Sequence, residues 1–502
     1  MIPLSYRLRA GVAFDTTAEG KQRVVCSLPL SVMSVNAGAV RMLEAARQGA
    51  TVTRLATAVG TDEERVLRLC ERFRSRGILE VVGAQADPAW APRVSVVIPT
   101  KDRPDDLADC LGALALLDYP PDLLEVIVVD DGSERPDVTE SVAARYGARF
   151  LANEGNQGQS YSRNRAAREA GGEILAFIDS DCVAEQGWLR DLVPYFAWQA
   201  AVAVGGRVAG YYDRSRLDRY EQVASPLDMG GHVLLAAAGT DTFYVPTCNL
   251  LVRRTAYLAL GGLREELRVG EDVDLCWRLR AAGGYLIYAA AGTVRHKHRA
   301  RLSAMLRRRA EYGTSEAPLH SLHPDKRKRF PMAFAPLASV IALSAALILL
   351  QPWLLLATLG PPLWEGMRRS MRLRRAGVHV PTRRVWFAVA RGHLSMLHFV
   401  LFHLVRYYLV VLAGIGLLVH GVWLFAAVAL VYVSAIDYWI RRPRLSYPVF
   451  LGFFMAEHVA YQIGVAVGCG RAGSARSYLP AHARGRVTTR VSPASPPPSA
   501  PR

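Results

Sequence analysis

Paired cysteines, a hydrophobic leader and acidic charge in the second half of the chain are all scarce in this sequence. Its seven cysteines (Cys26, Cys70, Cys110, Cys182, Cys248, Cys276 and Cys469) are scattered, odd in number and without a CxxC pair. That pattern argues against a disulfide framework and against a zinc module. The stretch Met1–Ala10 has few continuous apolar residues and no signal-peptide profile, so the N-terminal domains are expected in a reducing cytoplasm. Acids thin out where bases accumulate: between Arg295 and Arg384, 18 Lys and Arg face four acids. Such an excess suits nucleic acid or an anionic membrane surface. Here it borders long apolar runs and lacks interleaved stacking aromatics, so the expectation is membrane and no nucleic acid. With 502 residues and 51% hydrophobic content, the chain has room for two or three domains and is too apolar to be disordered.

Four zones follow from composition. Residues 1–88 predict a small domain that ends at a linker around Pro88 and Pro92. Val24–Leu28 reads as a strand, Asn36 as the cap of a helix over Ala37–Arg47, and Leu55–Val59 as a second helix. Thr61 is expected to cap a third, Asp62–Arg76, before a strand at Ile78–Val82. This is a winged-helix plan, but its second reader begins Asp62-Glu63-Glu64, which disfavours DNA binding. Residues 93–330 alternate apolar strands (Val94–Ile98, Leu123–Val129, Glu173–Ile178) with helical stretches (Asp105–Leu117, Ser160–Ala170). The expectation is a parallel sheet covered on both faces, with ligands beyond the carboxyl ends of its strands. Residues 331–470 hold two uncharged runs, Pro331–Trp364 and Tyr407–Ile436, the latter interrupted only by His420. Either exceeds the roughly 20 residues of a spanning helix. Basic flanks on both sides of both runs, with breaks at Gln351-Pro352 and His420-Gly421, favour hairpins that return to one side; a buried helical pair is the alternative. Residues 471–502 read as a basic, proline-rich disordered tail, with Ser-Pro-Ala-Ser-Pro-Pro-Pro from Ser492.

The polar signals fall at the strand ends. Pro99 and Thr100 end the first strand, Asp130-Asp131-Gly132-Ser133 follows the second, and Asp179-Ser180-Asp181 follows the third. Two acids at i and i+2 share a face while a strand lasts, and such a pair can hold a hard divalent cation with room for diphosphate oxygens. Taken alone, both acidic signals are also consistent with solvated turns. Gly270-Glu271-Asp272-Val273-Asp274 starts a helix with three acids in its first turn. These acids suit either the helix dipole or a general base, and Arg278 is placed to pair with Asp274. His296 and His298 follow a short strand, where one imidazole could complete a carboxylate-held metal site.

In order, Val-Val-Ile-Pro-Thr, Val-Asp-Asp-Gly-Ser, Asn156-Gln157-Gly158 with Ser162-Arg163-Asn164, Asp179-Ser180-Asp181 and Gly270-Glu271-Asp272 resemble the motifs of family 2 glycosyltransferases, over Val94 to about Arg299. Tyr312–Leu319 and His323–Lys326 give a closer resemblance to the mycofactocin-system glycosyltransferases, and Leu30–Val82 is similar to PqqD-like peptide-recognition domains. The resemblance implies an α/β GT-A fold behind a winged-helix, PqqD-like domain, with a membrane-associated helical region after it. It implies a metal-dependent, inverting hexosyl transfer from UDP-glucose to mycofactocin or its precursor, building a β-1,4-linked oligoglucoside. Carried over, Pro99, Thr100, Asp130, Asp131, Arg163, Asp179 and Ser180 would bind the nucleotide sugar. Asp181, with Asp179 and His296, would hold Mg²⁺ or Mn²⁺, and Asp272 would be the base. Glu271, Cys248 and Asn249 would lie on the acceptor side. A precursor peptide is the expected partner of the N-terminal domain, and the cytoplasmic face of the membrane the expected location. The rival readings are a membrane glycosyltransferase for a polyprenyl or cell-envelope acceptor, and a non-catalytic, membrane-tethered peptide-binding scaffold.

Overall fold

β-branched runs that cannot remain in water organise the middle of the chain. Val94–Thr100 and Ile174–Ile178 are buried along almost their whole length in the computed structural model, as only strands covered on both faces can be. The structure describes residues 1–482 except 17–19, 21, 28–29, 86–89, 238, 240, 327, 331–332, 379 and 480. Pro88 of the expected linker, Leu28, Pro331 and the tail from Ser492 lie outside the described residues.

The central sheet has eight strands, numbered here in chain order: β1 (Val94–Thr100), β2 (Leu124–Asp130), β3 (Arg149–Ala152), β4 (Ile174–Ile178), β5 (Ala201–Gly205), β6 (Leu234–Ala236), β7 (Asn249–Arg253) and β8 (Tyr285–Tyr288). Their order is β6-β8-β5-β7-β4-β1-β2-β3. The four strands β4, β1, β2 and β3 are parallel, as expected. The fully parallel sheet is corrected: β7 runs antiparallel to both β4 and β5, and β6 antiparallel to β8. Strand β7 is apolar throughout Leu250–Val252, so burial alone did not reveal its direction. This mixed α/β sheet, with helices packed on it, is of the α/β class expected.

Cys182–Ala184 and Val294–His296 form a second, smaller sheet with Val208–Gly210. Its antiparallel register pairs Cys182 with His296, which brings the histidine beside the acids after β4.

The N-terminal module holds helices Ala37–Ala45, Val52–Val59 and Glu63–Ser75 with two three-stranded sheets. Asn36 caps the first helix through a bond from Ala39 N (2.9 Å), worth about 1 kcal/mol. The third is capped by Asp62 rather than Thr61: the Asp62 carboxylate accepts from Arg65 N at 2.8 Å, one residue nearer the helix.

At the other end, Phe334–Ile348 and Gly360–Arg375 precede three helices long and apolar enough to cross a membrane: Thr382–Gly416, His420–Arg441 and Tyr447–Ala472. Breaks occur at Gln351 and just before His420, as expected, and the run Tyr407–Ile436 turns at Leu417–Val419 between two long helices that pack on each other. The third helix escaped the sequence reading because Glu457, His458 and Gln462 interrupt it. Those polar residues are buried against protein. Its glycines explain how closely it seats: a Cβ on Gly464 or Gly468 would clash with the backbone of Ala310 or Thr314 in helix Leu302–Thr314. Gly313 answers from the opposite side, meeting Tyr461 and Val465. Small residues on both helices lock the apolar bundle onto the sheet domain.

Candidate active site

Beyond the carboxyl ends of β1, β2 and β4 lies a cavity of about 670 Å³. Among the residues expected from sequence, Pro99, Thr100, Asp131, Asp179, Ser180, Asp181, Cys248, Glu271, Asp272 and His296 line it.

The turn after β2 is built around Gly132. Its φ is +75°, and a Cβ there would strike the backbone of Gly155 and Asn156, so this close crossing requires glycine. Asp131 is held by three donors: Gln157 N and Asn153 Nδ2 reach Oδ1, each at 2.9 Å, and Gly158 N reaches Oδ2 at 2.9 Å. Asp130 does not line the cavity. It is buried and accepts from Ser133 N (2.8 Å), so it shapes the turn instead. Asp102, at φ +53°, ties the preceding loop to the same turn by accepting from Glu134 N (2.7 Å) and donating its own N–H to Ser133 Oγ (2.8 Å). A left-handed non-glycine residue held by two bonds at a cavity rim is a rigid element that the sequence reading passed over.

The two acids after β4 part company. The strand has ended at Ile178, so the two-residue periodicity no longer applies. Asp179 turns to Arg163, whose guanidinium donates to its Oδ1. Asp181 instead sits 3.6 Å (Oδ1) from His296 Nε2, with Arg103 on its other oxygen. Among the described residues, the group close enough to share a metal ion is Asp181, Cys182 and His296, without Asp179. Burial pushes the Cys182 thiol well above its ordinary range, which disfavours thiolate ligation and leaves the carboxylate and imidazole as the useful donors. His298 also lines the cavity but pairs with Asp218 (3.4 Å).

Arg163 lies beneath the cavity rather than on its wall, 1% exposed, bridging Asp179 and Glu271 (3.8 Å). Asn249 is also corrected: it accepts from Trp188 Nε1 (2.8 Å) and donates to Arg207 O and Gly292 O, and it is fully buried within the fold. Helix Glu271–Ala281 begins at Gly270, φ +86°, and turns Asp272 into the cavity. Glu271 is fixed by Gln159 Nε2 at 2.7 Å. Burial raises both carboxyls above the usual range, and the charge of Asp272 adds to the rise at Glu271. Asp274 is a structural anchor, paired with Arg278 (2.7 Å) and His323 (2.8 Å).

Residues 95–261 match the model of the family described as Glycosyl transferase family 2. This segment is a family 2 glycosyltransferase domain. The chain is 34% identical over 257 residues to the pre-mycofactocin glycosyltransferase of Mycobacterium tuberculosis, covering 50% of this chain and 53% of that one. It is 29% identical over 205 residues to glycosyltransferase AglE of Haloferax volcanii, covering 39% and 64%. The chain thus spans about half the length of its mycobacterial relative and less than two thirds of the archaeal one. A solved mannosyltransferase from Pyrobaculum calidifontis, in complex with GDP-Man and Mn²⁺, is similar at 20% identity over 62% of this chain and 89% of its own, with a TM-score of 0.38.

The matched segment does not enclose the cavity alone. Tyr312 and Glu316 come from the helices that follow it, Lys328 from the next connection, and Arg406 and Tyr461 from the long apolar helices. Glu316 is bound by Lys328, Tyr407 and Tyr461, and the Arg406 guanidinium lies 3.5 Å from the centre of the Tyr461 ring. The motif Tyr312–Leu319 supplied two of these residues, but sequence reasoning did not bring Lys328, Arg406 or Tyr461 to the site. The signal available was the isolated arginine and tyrosines within otherwise apolar helices.

Proposed function

We propose that the chain is a metal-dependent, inverting hexosyltransferase that moves glucose from UDP-glucose to mycofactocin or its precursor, building a β-1,4-linked oligoglucoside. One observation carries the reading: the Asp181–His296 pair and Asp272 open into a single cavity at the sheet's carboxyl end. A carboxylate and an imidazole on an open wall fit Mn²⁺; Mg²⁺ would draw further oxygens from water and diphosphate. Bound there, the ion would neutralise charge on the leaving diphosphate. Asp179, oriented by Arg163, takes hydrogen bonds from the donor ribose, and Pro99, Thr100, Asp131 and Ser180 wall the nucleotide. Asp272 removes the acceptor hydroxyl proton as the new C1–O bond forms and the bond to the diphosphate oxygen breaks on the opposite face. Glu271 and Cys248 flank that reaction.

Mass spectrometry of the full chain with UDP-glucose, Mn²⁺ and a mycofactocin precursor tests this. Successive hexose additions, abolished by EDTA, are expected. Transfer unaffected by EDTA would remove the metal, and no transfer from any common nucleotide sugar would remove the enzyme.

A second reading, transfer to a polyprenyl or envelope acceptor, is favoured by the contribution of Arg406 and Tyr461 from apolar helices to the cavity wall. UDP release without precursor modification would select it. The further assignments are a PqqD-like module over 1–88, a catalytic domain over 93–330, a membrane-associated region over 331–470 and a tail over 471–502, held at the cytoplasmic face. Strand Val12–Thr16, which pairs on one side only among the described residues, offers an edge for a precursor peptide.

A further inference from the structure

Helix Gly360–Arg375 presents three faces of different chemistry. Gly366 points inward, where a Cβ would clash with the Trp386 ring, and Leu373 joins it on the half-buried side. On the outside, Leu363, Trp364, Met367 and Met371 recur at helical spacing and are all about half exposed, from 48% to 54%. Beside this apolar arc stand Arg368, Arg369, Arg372, Arg374 and Arg375, all exposed. The helix's one acid, Glu365, pairs with Arg369 and faces His393 at 3.7 Å. Arg368 stacks over Trp364 at 5.0 Å, a basic group resting on an apolar one.

The surroundings extend the pattern. Upstream, Leu349, Trp353, Leu356 and Leu359 are exposed and apolar, as are Leu417 and Leu418 in the turn between two long helices. Downstream, Arg383 and Arg391 are exposed near the start of the next helix. An exposed apolar arc edged by arginine and continuous with exposed apolar surface matches a bilayer interface: ring and thioether side chains below the headgroups, guanidinium groups among the phosphates.

We propose that Gly360–Arg375 lies in the plane of the membrane and seats on anionic phospholipid headgroups, as an anchor separate from the apolar helices. The inference does not depend on what the cavity catalyses. Only the combination of charge and apolar arc commits it to an anionic surface, since the apolar arc alone would accept any lipid.

The test uses the full chain in nanodiscs of phosphatidylcholine alone or mixed with phosphatidylglycerol. The seven native cysteines are buried, so Met367→Cys can be labelled selectively with an environment-sensitive fluorophore. Quenching of the label by neutral acrylamide is expected to fall several-fold further in the phosphatidylglycerol discs. With Arg368→Gln, Arg372→Gln and Arg375→Gln added, that difference should disappear, because each arginine near the surface is worth roughly a fivefold preference. A parallel Leu302→Cys label on the catalytic-domain side serves as the water-exposed reference. Equal protection in the two lipids, as a protein partner or second copy on this face would give, overturns the proposal. So does protection no greater than at residue 302, or an undiminished lipid difference in the triple variant.

Discussion

The two ends of the cavity are built by different rules. At one end, Pro99, Thr100, Asp131, Asp179 and Asp181 sit where adjacent parallel strands stop, so short sequence motifs and functional surface coincide. At the other, Tyr312, Lys328, Arg406 and Tyr461 come from separate segments, and the two helices that carry Tyr312 and Tyr461, Leu302–Thr314 and Tyr447–Ala472, approach through glycines. A strand end concentrates chemistry locally; a helix–helix wall collects it from residues about 150 positions apart, each unremarkable in its own segment.

Mutations can break this contrast or sharpen it. Asp272→Asn stands at the junction and carries the largest expected effect, a loss of about 10²–10⁴ in kcat with donor affinity retained, read by product formation and donor titration. Since burial raises this carboxyl, and the base acts only when deprotonated, kcat is expected to fall as pH drops through a value above the usual aspartate range. A pH profile flat down to the ordinary carboxylate range would remove Asp272 as the base. Asp181→Ala should cost on the order of a thousandfold in metal-dependent donor affinity, measured calorimetrically with and without Mn²⁺. Gly464→Val attacks only the helix-built end. About 1–3 kcal/mol of stability should be lost, with transfer impaired more than donor binding. Comparable loss of both would show that the two ends are not separable. Asn36→Ala lies far from the cavity; it should cost about 1 kcal/mol in thermal unfolding and leave kcat unchanged.

The sequence was legible where local physics decides the outcome. β-branched runs placed β1, β2 and β4 to within a residue or two, and Asn36 and Gly270 marked helix starts. Direction was not local: nothing in Asn249–Arg253 distinguishes an antiparallel strand from a parallel one. The i, i+2 argument for Asp179 and Asp181 failed because it assumed a strand that ends one residue earlier, and Arg163, buried beneath, decides where Asp179 turns. Conversely, Asn249 sits close to the catalytic surface in sequence terms but spends its amide on Trp188, Arg207 and Gly292. Helix Tyr447–Ala472 was hidden by the polar residues that fasten it, with Glu457 3.4 Å from Arg309 and 3.5 Å from Arg406.

The most direct test of the account is to follow UDP release and hexose incorporation in one reaction for the native chain, Asp181→Ala and Asp272→Asn, with UDP-glucose, Mn²⁺ and the mycofactocin precursor. The account predicts coupled release and incorporation in the native chain and neither in Asp181→Ala. In Asp272→Asn it predicts retained donor binding without incorporation. Incorporation at the native rate in either variant would contradict it, because the cavity would then not be where the sugar is transferred.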